Sequence, residues 1–260
     1  MRPMIRLFGG LAFVALLAIQ VEAATLLFDD FNDGDLNTNT LGIGSGFSSN
    51  NQGNGTTTES GTFATIGRSG GFPAYIQSND GLNPLGKTLT WVVTSRLPDA
   101  NFTAAEVGWL ANGSTPSAGG NPQFRVELRN DRAQLHLGDT TVVSISRGGS
   151  NADGSYDWNG STPAIVTLGL DAAGYSLQVT GVGVNINATG LTGAVAGVVA
   201  AAGGTMRAFA DGGDSSGNNV GTGVFDSVLI TDTIIPEPSC FLLLGMGLVG
   251  FARFRRRRRT

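Results

Sequence analysis

The chain has one cysteine, Cys240, and it lies in an apolar run near the C-terminus. A disulfide framework is therefore excluded, and stability has to come from a packed core or from bound ions. There is one histidine, His136, so any serine–histidine–aspartate site would have to use it. Lys and Glu are scarce, and no interior stretch sustains a 3.6-residue apolar period, so long helices are not expected. Charged residues make up only 14% of the chain, while glycine alone numbers 40. Together with many Asn, Ser and Thr, this describes a chain rich in turns.

The two ends differ from the rest. Arg2 and Arg6 precede an apolar run from Leu7 to Ile19, and Val21-Glu22-Ala23 places small residues where a signal peptidase reads. Residues 1–23 are therefore expected to be a signal peptide cleaved before Ala24. At the other end, Pro236-Glu237-Pro238 is followed by an apolar run from Ser239 to Ala252, then Arg253, Phe254 and the arginines Arg255, Arg256, Arg257, Arg258 and Arg259. The run is short for a transmembrane helix, which needs roughly 20 residues. The arginines would hold the tail on the cytoplasmic side. A short motif, a marginal span and a basic stop suit a segment that is recognised and removed; a plain C-terminal anchor is the alternative.

In that order, residues 236–260 resemble a PEP-CTERM sorting signal. The resemblance implies an exported protein of a Gram-negative bacterium, membrane-held through this segment until an exosortase-type enzyme processes it. It also implies a link to exopolysaccharide and the biofilm matrix.

Between the ends, residues 24–235 suffice for one domain with a sizeable core. This body holds eight Lys and Arg against 18 Asp and Glu, a net charge near −10. Nucleic acid and anionic lipid both require a basic face, so neither is an expected partner.

Strand-like runs recur between turn clusters along the body. They are Thr25 to Phe31, Thr62 to Ile66, Lys87 to Leu97, Gln123 to Arg129, Ala133 to Leu137, Thr140 to Ser146, Ile165 to Leu170, Tyr175 to Thr180, Met206 to Ala210 and Val224 to Thr231. Phe102 to Leu110 reads as a strand or a helical turn, and Gly193 to Ala202 as a packed strand or a loose loop. In Gln123 to Arg129, Phe124, Val126 and Leu128 alternate with Arg125, Glu127 and Arg129, which predicts one buried and one wet face.

About ten or eleven strands, each with one apolar face, predict an all-β, antiparallel two-sheet sandwich. Phe28-Asp29-Asp30-Phe31 near the start, Gly174-Tyr175-Ser176-Leu177 late, and Phe225-Asp226-Ser227-Val228 at the close resemble concanavalin A-like or laminin-G-like jelly rolls. That resemblance implies either a sugar binder or a glycosidase.

Glycosidic hydrolysis needs two carboxylates about 5 to 10 Å apart. Acid-x-acid spacing would place such a pair on one strand face. None of Glu59, Glu106 and Glu127 has an acid two residues away, and Asp33 and Asp35 flank a glycine turn. His136, alone in a strand pattern, reads as structural or surface-exposed. The body is therefore read as non-enzymatic, with a glycoside hydrolase as a rival.

Two oxygen-rich clusters are candidate calcium sites: Asp29, Asp30, Asp33 and Asp35, or Asp211 and Asp214. Asp and Asn also simply make turns. Trp91, Trp109 and Trp158 are the tryptophans available to stack on sugar. Trp91 reads as core, and Trp158 with Tyr156 in a polar loop is the candidate glycan contact. The expected role is to bind or organise exopolysaccharide; a purely structural matrix protein is the nearest alternative.

Overall fold

The computed structural model describes residues 23–40, 42–51, 55–60, 62–67, 74–96, 103–116, 120–129, 132–146, 163–182, 185–212 and 222–232. Their strands are, in chain order, β1 (Thr25–Asp29), β2 (Phe47–Asn51), β3 (Thr56–Glu59), β4 (Ala64–Gly67), β5 (Ala74–Ser78), β6 (Lys87–Arg96), β7 (Thr103–Ala111), β8 (Gln123–Arg129), β9 (Arg132–Leu137), β10 (Thr140–Ser146), β11 (Ala164–Leu170), β12 (Gly174–Thr180), β13 (Ile186–Leu191), β14 (Met206–Asp211) and β15 (Thr222–Asp232). One helix, α1 (Ala194–Ala201), precedes β14.

These strands form two antiparallel sheets. The eight-stranded sheet runs β13-β12-β11-β6-β15-β4-β3, with β1 also paired to β15; the seven-stranded sheet runs β10-β9-β8-β7-β14-β5-β2. Alternating apolar residues face each other between them and exclude water. Val107, Trp109, Phe124, Val126 and Leu135 come from one sheet, and Leu89, Trp91, Val166, Leu168 and Val228 from the other. Trp91 is the hub of an aromatic cluster. Phe31 stacks on it at 6.1 Å and 13°, while Phe47 and Phe225 meet it edge-on at 5.9 and 5.7 Å. Losing one such ring costs about 3–5 kcal/mol. Phe31 reaches its place with φ at +51°, a rare value for a residue with a side chain. The Asp29 carboxylate holds that backbone by accepting the Phe31 N–H at 2.9 Å.

The sandwich expected from the sequence is present, including the β8–β9 and β11–β12 hairpins. Of the run that reads as strand or helical turn, the described part is strand: β7 spans Thr103–Ala111. The run from Gly193 to Ala202 is neither strand nor loop: Ala194–Ala201 is helical. Val195 and Val199, four residues apart, bury one face, while Gly203 and Gly204 at φ +73° and +82° end the helix. β2, β3 and β13 lack a recognisable run in the sequence, because Ser, Asn and Thr occupy many of their outward positions; β5, Ala74–Ser78, is too short and too uniformly buried to show an alternation. Trp109, considered for sugar stacking, is fully buried core.

The wet face expected on β8 is also corrected. Arg125 and Glu127 are buried, although they point away from the core between the sheets. The remaining candidates Tyr156, Trp158, Asp214, Pro236, Glu237, Pro238 and the terminal arginines lie outside the described residues. Among the described residues, no helix is long and apolar enough to cross a membrane.

Candidate functional site

The outer face of the seven-stranded sheet carries polar residues in register. On a strand, alternate residues share a face. With Val107, Val126 and Leu135 in the core, Glu106, Glu127 and Gln134 point outward. Pairing aligns Ser144 with Gln134, Gln134 with Glu127, and Glu127 with Glu106. The line continues from Glu106 to Asp211, from Asp211 to Tyr75, and from Tyr75 to Asn50. Thus one polar residue on each of the seven strands forms an unbroken row.

A second row lies beside it, in which Thr141 aligns with His136, His136 with Arg125, and Arg125 with Gly108. Gly108 has φ +155°, and a Cβ there would stand 1.9 Å from the Phe124 carbonyl oxygen. Only glycine permits this close approach of β7 and β8 beneath the charged groups.

The centre of these rows is a buried ion network. Arg125 donates through Nη1 to Glu106 Oε1 at 2.9 Å and contacts Glu127 Oε1 at 2.6 Å. Because one nitrogen holds both, the two carboxylate oxygens lie no more than about 5.5 Å apart. His136 Nε2 stands 3.4 Å from Glu127 Oε1, and its Nδ1 is hydrogen-bonded to Thr141 Oγ1 at 3.1 Å. Glu106 and Asp211 are fully buried. Toward one edge, Asn50 Nδ2 donates to the Tyr75 hydroxyl at 2.8 Å, which donates to the Ser114 carbonyl at 3.1 Å. Toward the other edge, half-buried Gln134 donates to Ser144 Oγ at 3.3 Å.

Buried charges persist only when paired and hydrogen-bonded. Burial raises the pKa of Glu127, but the His136 contact and the Arg125 charge outweigh it, so its carboxyl stays below the usual range. Arg125 is likewise held protonated: burial disfavours its charge, and the two glutamates more than compensate. Burial pushes the Tyr75 hydroxyl up.

Sequence reasoning had the residues but not the arrangement. Glu106 and Glu127 are far apart in the chain and directly opposite in the sheet. Asp211, expected in a loop cluster, ends β14 beside Glu106. His136 belongs to the network, and Tyr75 carried no signal.

The other calcium candidates lie in the turn after β1, where their oxygens accept local hydrogen bonds. Asp30 accepts from Asn32 Nδ2 at 2.6 Å, and Asp33 from Asp35 N at 3.1 Å and from Thr40 N and Oγ1 at 2.8 and 2.9 Å. Asp35 accepts from Asn37 N at 3.0 Å. Glu59, not singled out in the sequence, joins them by accepting the Gly34 N–H at 2.7 Å. Burial, followed by the nearby carboxylates, pushes Asp29 up to about 6, and burial with its Asp33 neighbour does the same for Glu59. Among the described residues, no group of three or more His, Cys, Asp or Glu is placed to hold a metal ion.

A two-sheet jelly roll with a polar outer sheet face defines the class, and solved structures agree with that fold. The winged bean acidic lectin complexed with methyl-α-D-galactose matches with a TM-score of 0.57 at 7% identity, covering 81% of this chain and 99% of the lectin. The Bauhinia forficata lectin in complex with GalNAc matches at 0.52 and 9%, over 82% and 100%. Arcelin-5, a lectin-like defense protein from Phaseolus vulgaris, matches at 0.52 and 10%, over 80% and 97%. At such identities the likeness establishes the legume-lectin type of jelly roll and nothing finer. Residues 235–258 match the PEP-CTERM protein-sorting motif, which marks an exported, envelope-targeted chain recognised by an exosortase. No curated protein gives a significant match.

Proposed function

We propose that this protein binds and organises exopolysaccharide in the envelope or biofilm matrix of a Gram-negative bacterium, after exosortase processing of its C-terminal segment. The observation that carries this reading is the polar row across all seven strands of one sheet face. The amides and hydroxyl at its accessible positions suit a polyhydroxylated chain. The buried ion pairs hold the row rigid, and its accessible ends, Gln134, Ser144 and Asn50, offer contacts at the edges. The segment containing Tyr156 and Trp158 follows β10, the edge strand bearing Ser144, and these two aromatics remain the proposed stacking contacts.

The reading is non-enzymatic. A carboxylate pair that cleaves a glycosidic bond needs one member to keep its proton as general acid. Arg125 on both Glu106 and Glu127 works against that. Calcium is proposed only as an ion tying the turn at Asp29, Asp30, Asp33 and Asp35, where the raised Asp29 and Glu59 carboxyls would gain from a cation; Asp211 and Asp214 are the second proposed position.

Retention on polysaccharide from the native host tests the function. Gln134→Ala and Trp158→Ala are expected to weaken retention while melting stays unchanged. A wild-type protein that is not retained would indicate a purely structural role, and release of reducing sugar would indicate a hydrolase.

A further inference from the structure

The eight-stranded sheet has its own outer face, and its chemistry differs from that of the ionic row. Pairing aligns Thr231 with Thr88, Thr88 with Gly169, Gly169 with Ser176, and Ser176 with Thr189. The next row reads Leu229, Thr90, Thr167, Gln178 and Asn187. Thr90 and Thr167 hydroxyls lie 3.4 Å apart. Among these residues none is charged.

The first row is interrupted at Gly169. A Cβ there would stand 2.5 Å from Ser176 Oγ and 3.8 Å from Thr88 Oγ1, so two hydroxyls converge over a position without a side chain. A pocket of about 350 Å³ opens at this dent, and Thr88, Gly169, Ser176, Thr189, Asp171 and Leu191 are among its lining residues. That volume is within the range of small-molecule sites.

The lining selects its occupant. Among the described residues, no basic side chain lines the pocket, so they offer nothing to hold an anion. Its one carboxylate, Asp171, accepts the Ala173 and Gly174 N–H groups, both at 2.7 Å. What remains is neutral: the hydroxyls of Thr88, Ser176, Thr189 and Tyr175 beside Leu170 and Leu191, the latter 93% exposed. Hydroxyl donors and acceptors next to a small apolar surface match a neutral sugar ring, which presents equatorial hydroxyls around apolar C–H faces.

We infer that the pocket over Gly169 is a second carbohydrate site, specific for uncharged sugar units and located on the opposite sheet from the ionic row. If the polar row also binds glycan, as proposed above, one molecule has sites on both broad faces and bridges two polysaccharide chains. The pocket stands on its own residues, so either site can fail without the other.

The test uses the mature protein with maltohexaose and cellohexaose as neutral probes and hexagalacturonate as the charged one. Gly169→Val fills the dent, and Thr189→Val removes an exposed hydroxyl without changing shape. Each is expected to lower affinity for a neutral hexasaccharide about tenfold, the equivalent of one hydrogen bond with a buried partner; melting should be unchanged in Thr189→Val, while Gly169→Val displaces the Ser176 side chain. Gln134→Ala should lower retention on native polysaccharide, and the neutral-sugar affinity it retains should still fall about tenfold when Thr189→Val is added. Neutral-sugar binding lost only in Gln134→Ala, or equal in wild type and both pocket variants, would overturn the inference. So would a wild type that binds neither neutral probe. Intact neutral-sugar binding with no effect of Gln134→Ala on native polysaccharide would keep the pocket and remove the polar row.

Discussion

Replacing Asp29 by asparagine is expected to make this protein more stable at neutral pH. Asp29 is 5% exposed, and burial, reinforced by Asp33 and Asp30, pushes its carboxyl from 3.8 up to about 6. The native state therefore holds the proton more tightly than the unfolded chain does. The resulting penalty is absent below pH 4, develops as pH rises from 4 to 6, and is complete above 6. A rise of roughly two units corresponds to at most about 3 kcal/mol. Asparagine keeps the oxygen that accepts the Phe31 N–H, so the turn at the +51° residue survives the change. Allowing for screening of the exposed neighbours, the gain is about 1–2 kcal/mol, or about 3–6 °C in a domain of this size. Calorimetric melts in chelator at pH 7.5 and pH 3.5 provide the assay: the Asp29→Asn gain should be present at the first and gone at the second. Asp29→Ala should instead lose stability at both, because it leaves a buried N–H without its acceptor. An equal Asp29→Asn gain at both pH values would refute the charge argument. A loss at pH 7.5 would show that the amide does not hold the Phe31 turn.

Arg125→Met should cost about 3–5 kcal/mol, since it leaves Glu106 and Glu127 buried without their shared cation; a chemical-denaturation midpoint close to wild type would show that the network adds little. Intact-mass measurement of protein from the native host should give a mature form lacking Arg253 to Thr260, and retention of the arginines would point to a plain anchor. Excess calcium should raise the melting midpoint and chelator restore it, by preferential binding to the native state; identical midpoints would remove the ion from both proposed positions.

The sandwich was legible wherever a strand alternates one apolar face with one polar face, as in β11 and β12, because the period is local. β2 and β3 were not legible, since SerSerAsnAsn and ThrThrThr carry turn chemistry and only the neighbouring strand makes them strands. Helix α1 was missed because eight small residues show too few turns for a period. The ion network was illegible for a different reason. The alternation in β8 is real, but it says only which residues share a face, not whether water reaches that face. Glu106 and Glu127 meet through strand register, and no spacing along one strand encodes a partner on the next.

β15 gives the fold a temporal order. This last described strand is also central: it pairs with β6, β4 and β1, and its Asp232 N–H reaches back to the Ala24 carbonyl at 3.0 Å. A polypeptide threaded outward from its N-terminus delivers β1, β4 and β6 long before the strand that joins them. The eight-stranded sheet therefore stays open until nearly the whole chain has crossed, and its non-local pairings close slowly. Closure then draws Asp232 against Lys87, four residues short of Pro236. The strand that completes the sheet and the sorting motif are thus neighbours along the sequence. A folding defect in β15 would be expected to surface as a processing defect at its neighbour.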